Sequence, residues 1–474
     1  MAGLIPFPSR PRAGRGLSWA RLCVAAGALA FALAPALAAA QDSGGGLNVI
    51  RDTEIEATIH KEADPIFKAA GLDPKDMQVL LIGDRSLNAF TVSSRLMAVN
   101  TGLIIETKTP NELEGVIAHE TGHAAGGHTV REGEMMRAGM APFLLTLGLG
   151  VLAAIAGAPD AGAVLVGSSG YFGTLGALTY SREQESRADQ AAITYLERAG
   201  YSSRGLVEFF DNFRYEEVFS EARRYPFFQS HPISSERIES LRRRAEEQKH
   251  YGETDSPELI AEHQVMKAKL AAFIDPPQQT FIKFKETDTS FPARYARAIA
   301  YYKATETETA LKKLDALLAD YPNNPYLWEL KGQVLFEAGR AKEAEPAHRK
   351  AVELKPDAPL LRINLAQAIL AQDEGKRADE VLAELQKALA HDKDNTFAWR
   401  LMSQAYAAKH DEGQARLAAA EEHFSTGDLT QARIFAMRAR EYLPKNTPQW
   451  RRATDIVLVS KPSADDLKQL GRTG

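Results

Sequence analysis

The sequence predicts a mostly α-helical chain of two unlike parts, a small α+β domain followed by an all-α solenoid. Three observations predict it. Apolar residues recur at helical spacing over most of the chain, strand-like runs are confined to residues 77–105, and beyond residue 291 one pattern returns every 34 residues.

The first forty residues stand apart. Arg10, Arg12, Arg15 and Arg21 make a basic start, and "LCVAAGALAFALAPALAAA" is an apolar stretch ending in small residues. Together they predict an export leader cut after Ala40; Pro35 and the small-residue end argue against an uncleaved anchor. Cys23, the single cysteine, falls inside the leader, which excludes disulfides and thiolate chemistry from the remainder. Without those four Arg the chain keeps 53 basic and 62 acidic residues, a formal charge of −9, and nucleic acid is excluded as a partner.

Next comes "RDTEIEATIHKEADPIFKAAG", a helix by the spacing of Ile55, Ile59 and Ala63 and ended by Gly71. "MQVLLIGD", "NAFTVSS" and "LMAVNTGLII" read as short strands of a small sheet, whose edge could hold an extended peptide by main-chain pairing. A helix then begins near Asn111, with Thr109 or Asn111 as cap. Residues 141–180 hold two Gly- and Ala-diluted apolar runs around "GAPDAG". They fit a buried helical hairpin or membrane-touching flap better than a transmembrane pair. "SREQESRADQAAITYLERAG" is a helix ended by Gly200, and an aromatic-rich helix carries "EFFDNFRYEEVF". The first domain is expected over residues 46–260, and Pro276, Pro277 and "FKETDTS" mark a linker over 261–291.

The repeats follow. Ala298, Gly332 and Ala366 share the 34-residue interval, as do Ala310, Ala344 and Ala378, and Pro322 and Pro356. A large Trp328, small residues where paired helices meet and a closing proline match the tetratricopeptide pattern. Four repeats are expected over 292–445, with about three extra residues before Trp399 and a tail over 446–474. Their concave face suits an extended peptide or a partner helix.

The chemistry concentrates in "IAHETGHAAGGH", residues 117–128. On a helix His119 and His123, four apart, stack on one face, the geometry that two imidazoles need to reach one zinc ion. Glu120 follows the first His and is placed to act as general base. A catalytic zinc takes three protein ligands and leaves one position open, so a third ligand must come from elsewhere. In "SREQESRADQ", Glu185 and Asp189 share a helical face while Glu183 points away. Glu185 is the favoured ligand with Asp189 orienting a ligand His; Asp189 as ligand is the other arrangement. The longer pattern H-E-x-x-H-x-x-G-x-x-H fails, because position 129 is Thr and His128 comes one residue early, so His128 is read as structural.

"HETGH" followed some sixty residues later by "SREQESRAD" resembles the zinc peptidases of the CAAX prenyl protease type, with their H-E-x-x-H and E-x-x-x-D patterns. "RDTEIEATIHKEADPI", "NAF", the leader and the repeats are similar to the periplasmic, tetratricopeptide-bearing branch of that family, and the likeness spans residues 46–445. It implies a zincin-type (gluzincin) domain holding one zinc per chain through His119, His123 and Glu185, with Glu120 as base and Asp189 in the position of proton donor. "SHPISSERI" matches the family's downstream His-Pro and Arg element. There Arg237 would stabilise an oxyanion, and His231 could swing onto the zinc as an inhibitory ligand. The implied function is periplasmic degradation of unfolded or misassembled outer-membrane proteins, with the outer-membrane assembly machinery met through the repeats and peripheral membrane contact. Two other readings stand beside it: a repeat-led chaperone or assembly scaffold with latent peptidase activity, and an integral membrane protease.

Overall fold

The computed structural model describes residues 48–127, 183–212, 231, 234–372 and 375–472. The expected leader with its cut after Ala40, the apolar stretch 141–180, His128 and the end of the aromatic-rich helix lie outside the described residues.

Strand β1 (Val49–Ile50) precedes helix α1 (Thr53–Ala69), which Asp52 caps by accepting from the amides of Glu54 and Ile55. Strands β2 (Gln78–Ile82), β3 (Ala89–Ser93) and β4 (Leu96–Asn100) complete a sheet of order β1-β2-β4-β3. β2 and β4 are parallel, and β3 pairs antiparallel with β4 as an edge strand. The third expected strand stops at Asn100, because Thr101–Glu106 is a helix, α2. Its run Leu103, Ile104 and Ile105 is short and apolar, a pattern that suits either state until tertiary packing decides.

Helix α3 (Pro110–Ala125) carries the H-E-x-x-H motif; Thr109 caps it and Pro110 occupies its first turn. It runs through the first core among Ile59 and Phe67 of α1, Val99 of β4 and Phe209 of α5 (Arg204–Asn212). Gly115 permits that crossing, since a Cβ there would stand 2.7 Å from the Leu206 Cα. The helix over 183–199 (α4) ends at Gly200, whose φ of +78° suits the expected stop. Helix α6 (Ser235–Glu246) closes the unit through Ile238 and Leu241.

The interval expected as a linker is not extended. Helix α7 (Pro257–Ile274) places Met266 and Leu270 in the first core and Ala268 and Ala272 in the second, and α8 (Pro277–Lys283) follows. An amphipathic helix with two apolar faces can serve two cores, which the prolines at its end conceal in the sequence.

The solenoid begins with paired helices α9 (Phe291–Lys303) and α10 (Thr307–Asp320), then α11 (Pro325–Glu337) and α12 (Ala341–Leu354), then α13 (Pro359–Leu370) and α14 (Ala378–His391). The surplus before Trp399 falls in the turn ahead of α14. Val381, fully buried and the fourth residue of its helix like Ala310 and Ala344, therefore takes the place expected of Ala378. Trp399 opens α15 (Thr396–Ala408), and α16 (Glu412–Ser425) packs on both α15 and α17 (Leu429–Tyr442). The expected tail carries α18 (Pro448–Val459) and α19 (Ala464–Arg472); Ala453, Ile456 and Val457 of α18 share a core with Ala420 and Ala432.

A buried polar network joins the first part to the repeats. Lys269 Nζ lies 2.8 Å from Asp52 Oδ2 and 3.1 Å from Glu54 Oε2, and the Tyr295 hydroxyl donates to Glu54 at 3.0 Å. Thr53 and Asn364 both donate to Glu329, whose carboxyl burial pushes up to about 8 against the pull of Lys269. The start of α1 thus meets α9 through Glu54 and α11 through Thr53, and Glu329 of α11 carries the link on to Asn364 of α13.

Candidate metal centre

Helical periodicity brings His119 and His123 together on α3, with Nε2 atoms 3.2 Å apart. Helix α4 lies alongside, and Gly122 between the histidines makes the approach possible: a Cβ there would stand 2.9 Å from the Ala188 carbonyl oxygen. That contact delivers Glu185, whose Oε2 is 3.3 Å from His119 Nε2 and whose Oε1 is 3.3 Å from His123 Nε2. His231 completes the cluster with Nδ1 3.3 Å from His119 Nε2 and 3.0 Å from Glu185 Oε1. All four side chains are buried.

These spacings can be tested against a bound ion. Ligand atoms about 2.0–2.1 Å from a tetrahedral centre sit roughly 3.3–3.4 Å from one another. The contacts of His119 with His123, Glu185 and His231, and of Glu185 with His123 and His231, run from 3.0 to 3.3 Å, and all four converging atoms lie within 4.8 Å of one another. Imidazole nitrogens and a carboxylate, buried and turned toward one point, are the donor chemistry of a divalent metal site.

A second ring of contacts fixes the first. Asp189 Oδ1 lies 3.1 Å from His119 Nδ1, the ring atom turned away from the cluster. Arg237, in the first turn of α6 behind the Ser234 cap, donates from Nε and Nη2 to Asp189 at 2.7 and 2.8 Å. Its Nη1 is 2.9 Å from Glu185 Oε2, and its guanidinium lies over the Phe210 ring at 4.9 Å. Burial works to raise the Asp189 carboxyl, yet Arg237 and His119 bring it down to about 2. Burial likewise opposes charge on His119, which its Asp189 and Glu185 partners push up to about 9. Glu185 falls well below the carboxylate range against its own burial, through hydrogen bonds with the three imidazoles.

Glu120 is 1% exposed and stands beside the four converging atoms rather than among them. Its Oε1 is 3.3 Å from His231 Nε2, and its Oε2 accepts from Thr91 Oγ1 at 3.2 Å. Every site residue expected from the sequence thus meets in one place: His119, Glu120 and His123 on α3, Glu185 and Asp189 on α4, His231 and Arg237 around the start of α6. Thr91 is the neighbour that sequence reasoning missed. Strand alternation put it on the face of Ala89, but nothing in the sequence said that α3 crosses there.

A family model described as peptidase family M48 matches residues 50–245, and tetratricopeptide repeat models match residues 295–359 and 335–395. The chain is 26% identical over 361 residues to the beta-barrel assembly-enhancing protease of Escherichia coli (strain K12), which covers 74% of this chain and 72% of that one. It is 32% identical over 192 residues to the metalloprotease YcaL of the same strain, covering 39% of this chain and 69% of YcaL. To the metalloprotease LoiP it is 34% identical over 164 residues, 34% of this chain and 59% of LoiP.

Proposed function

Because the chain belongs to peptidase family M48 and continues into tetratricopeptide repeats, we propose that it is a periplasmic zinc endopeptidase acting on misfolded or misassembled outer-membrane proteins. A metalloprotease role follows from the family. The observation that carries the finer reading is the convergence of four buried ligand atoms within 4.8 Å of one another, with the Glu120 carboxylate at their side. We divide the chain into a peptidase domain over 46–260 and repeats over 292–445, coupled through α7.

In this reading His119, His123 and Glu185 hold the ion. Zinc, when bound, polarises the peptide carbonyl and lowers the pKa of water. Glu120 takes the proton from the attacking water and delivers it to the leaving amine. Asp189 holds the tautomer of His119, and Arg237 holds Asp189 and Glu185. A carboxyl kept near 2 by a bidentate guanidinium is a poor proton donor, which favours Asp189 as an orienter. Arg237 turns Nε, Nη1 and Nη2 to carboxylates, so positioning is its first task and oxyanion contact its second.

His231 supplies a fourth ligand atom, the third imidazole nitrogen, where the substrate carbonyl and water must enter, and its other nitrogen stands 3.3 Å from Glu120 Oε1. We therefore read it as a self-inhibitory ligand. His231→Ala is expected to cleave unfolded substrate faster than wild type by severalfold at equal zinc content. A variant no faster than wild type on casein removes the inhibitory role.

The clients and the compartment rest on the export leader and on likeness to the beta-barrel assembly-enhancing protease; contact with the assembly machinery is placed on the repeats. Among the described residues no helix is long and apolar enough to cross a membrane. The test of the whole reading is metal removal. The purified chain should hold about one zinc ion and cleave casein, lose cleavage on chelation and regain it with zinc but not magnesium. Undiminished cleavage by thoroughly metal-free protein overturns it.

A further inference from the structure

We propose that Thr91 is a positioning residue for the general base and that it ties this base to the edge strand of the sheet. The inference rests on Glu120 acting as that base. Thr91 sits on β3, which among the described residues pairs with β4 on one side only. Its partner across the ladder is Met97, in the regular register that runs from Ala89 to Thr91; the shift comes only after it, before Ser93. On the face it shares with Ala89 its hydroxyl reaches α3, with Oγ1 2.9 Å from the Glu120 carbonyl oxygen and 3.2 Å from Glu120 Oε2.

The consequence follows from burial. At 1% exposure the Glu120 carboxylate has little water to replace a lost protein partner. Its two oxygens face different elements: Oε2 accepts from Thr91, while Oε1 stands 3.3 Å from His231 Nε2. When His231 withdraws, Oε1 becomes free to accept a proton while Thr91 keeps Oε2 in place. A base with one oxygen tethered and one working is oriented without being neutralised. The tether starts on the strand whose outer edge is unpaired among the described residues and can take main-chain pairing, so a peptide that shifts β3 also shifts the base.

The single hydroxyl proton serves one acceptor at a time, and a bond to the helix carbonyl alone would make Thr91 merely structural. Steady-state cleavage of a quenched fluorogenic casein peptide by the full zinc-loaded chain separates the two roles. Thr91→Val keeps the shape and strand preference but removes the hydroxyl. It should lower kcat by about 10- to 100-fold with KM within about twofold, at unchanged zinc content and Tm. Thr91→Ser should restore kcat to within about threefold of wild type, since it returns the donor. Thr91→Ala serves as the deletion if the valine variant does not fold. The proposal fails if the hydroxyl-free variant keeps kcat within about twofold of wild type, if serine is as impaired as valine, or if the loss lies in KM alone. An active Glu120→Gln would instead sink the base assignment itself, whereas an inactive Glu120→Gln beside a fully active Thr91→Val sinks only the tether.

Discussion

Glu120→Gln should retain about one zinc ion per chain and lower kcat by a factor of about 10² to 10⁴, the range that a positioned general base contributes. The two side chains have the same length and shape, and the amide oxygen can still accept from Thr91 Oγ1, so the substitution leaves the packing of α3 intact. It does not touch the ligands, because the converging atoms belong to His119, His123, Glu185 and His231. What disappears is basicity. An amide cannot take a proton from water, and at 1% exposure no solvent base stands in for it. Zinc content by elemental analysis, Tm and casein cleavage, measured on one preparation, decide the matter. Full proteolysis with zinc bound would show that the base lies elsewhere; lost proteolysis with lost zinc would make Glu120 a metal-site residue instead.

The same comparison separates the two principal readings of the whole chain. If the repeats do the main work as a scaffold, Glu120→Gln keeps its effect on client assembly while proteolysis vanishes. If peptide hydrolysis is the function, both fall together. The buried link through Lys269, Asp52, Glu54, Tyr295 and Glu329 gives a physical reason for the second pattern, since repeats anchored to α1 place anything they hold beside the peptidase domain.

Local periodicity explains which parts of this site could be read in the sequence. His119 and His123, and Glu185 and Asp189, are each four residues apart on a helix, and the 3.6-residue turn alone puts each pair on one face. That α3 and α4 meet was not local information, although Gly122 and Ala188 are the small residues that the meeting needs. His231 and Arg237 came only through family resemblance, because a loop and a helix start reach the cluster by tertiary packing. For Arg237 that resemblance suggested an oxyanion, while its closest partners are the carboxylates of Asp189 and Glu185. Thr91 was invisible for the same reason, being set by the crossing of α3 over its strand. In the solenoid the 34-residue period led to the right helices, but the surplus residues before α14 exchanged Ala378 for Val381. A period counts residues, whereas packing counts positions along a helix.

The largest effect on the metal itself is expected from Glu185→Ala. His119 and His123 alone supply two nitrogens, fewer than the three protein ligands that a catalytic zinc requires, and the vacated carboxylate position is also where Arg237 Nη1 binds. The variant should carry little zinc after dialysis and show no cleavage above background. Its fold should nevertheless persist, because Arg237 keeps its bidentate bond to Asp189 and the first core does not include Glu185. Thermal melting distinguishes ligand loss from unfolding. A ligand that binds only the native state stabilises it by about 2.7 kcal/mol at a free concentration of 100 Kd, so zinc should raise the Tm of chelated wild type by several degrees and leave Glu185→Ala unmoved. The expected signature is a variant whose melting point matches metal-free wild type with or without zinc. If Glu185→Ala instead bound zinc with the full wild-type rise in Tm, His231 would have to be a resident third ligand. The self-inhibitory reading of that histidine would fall with the assignment of Glu185.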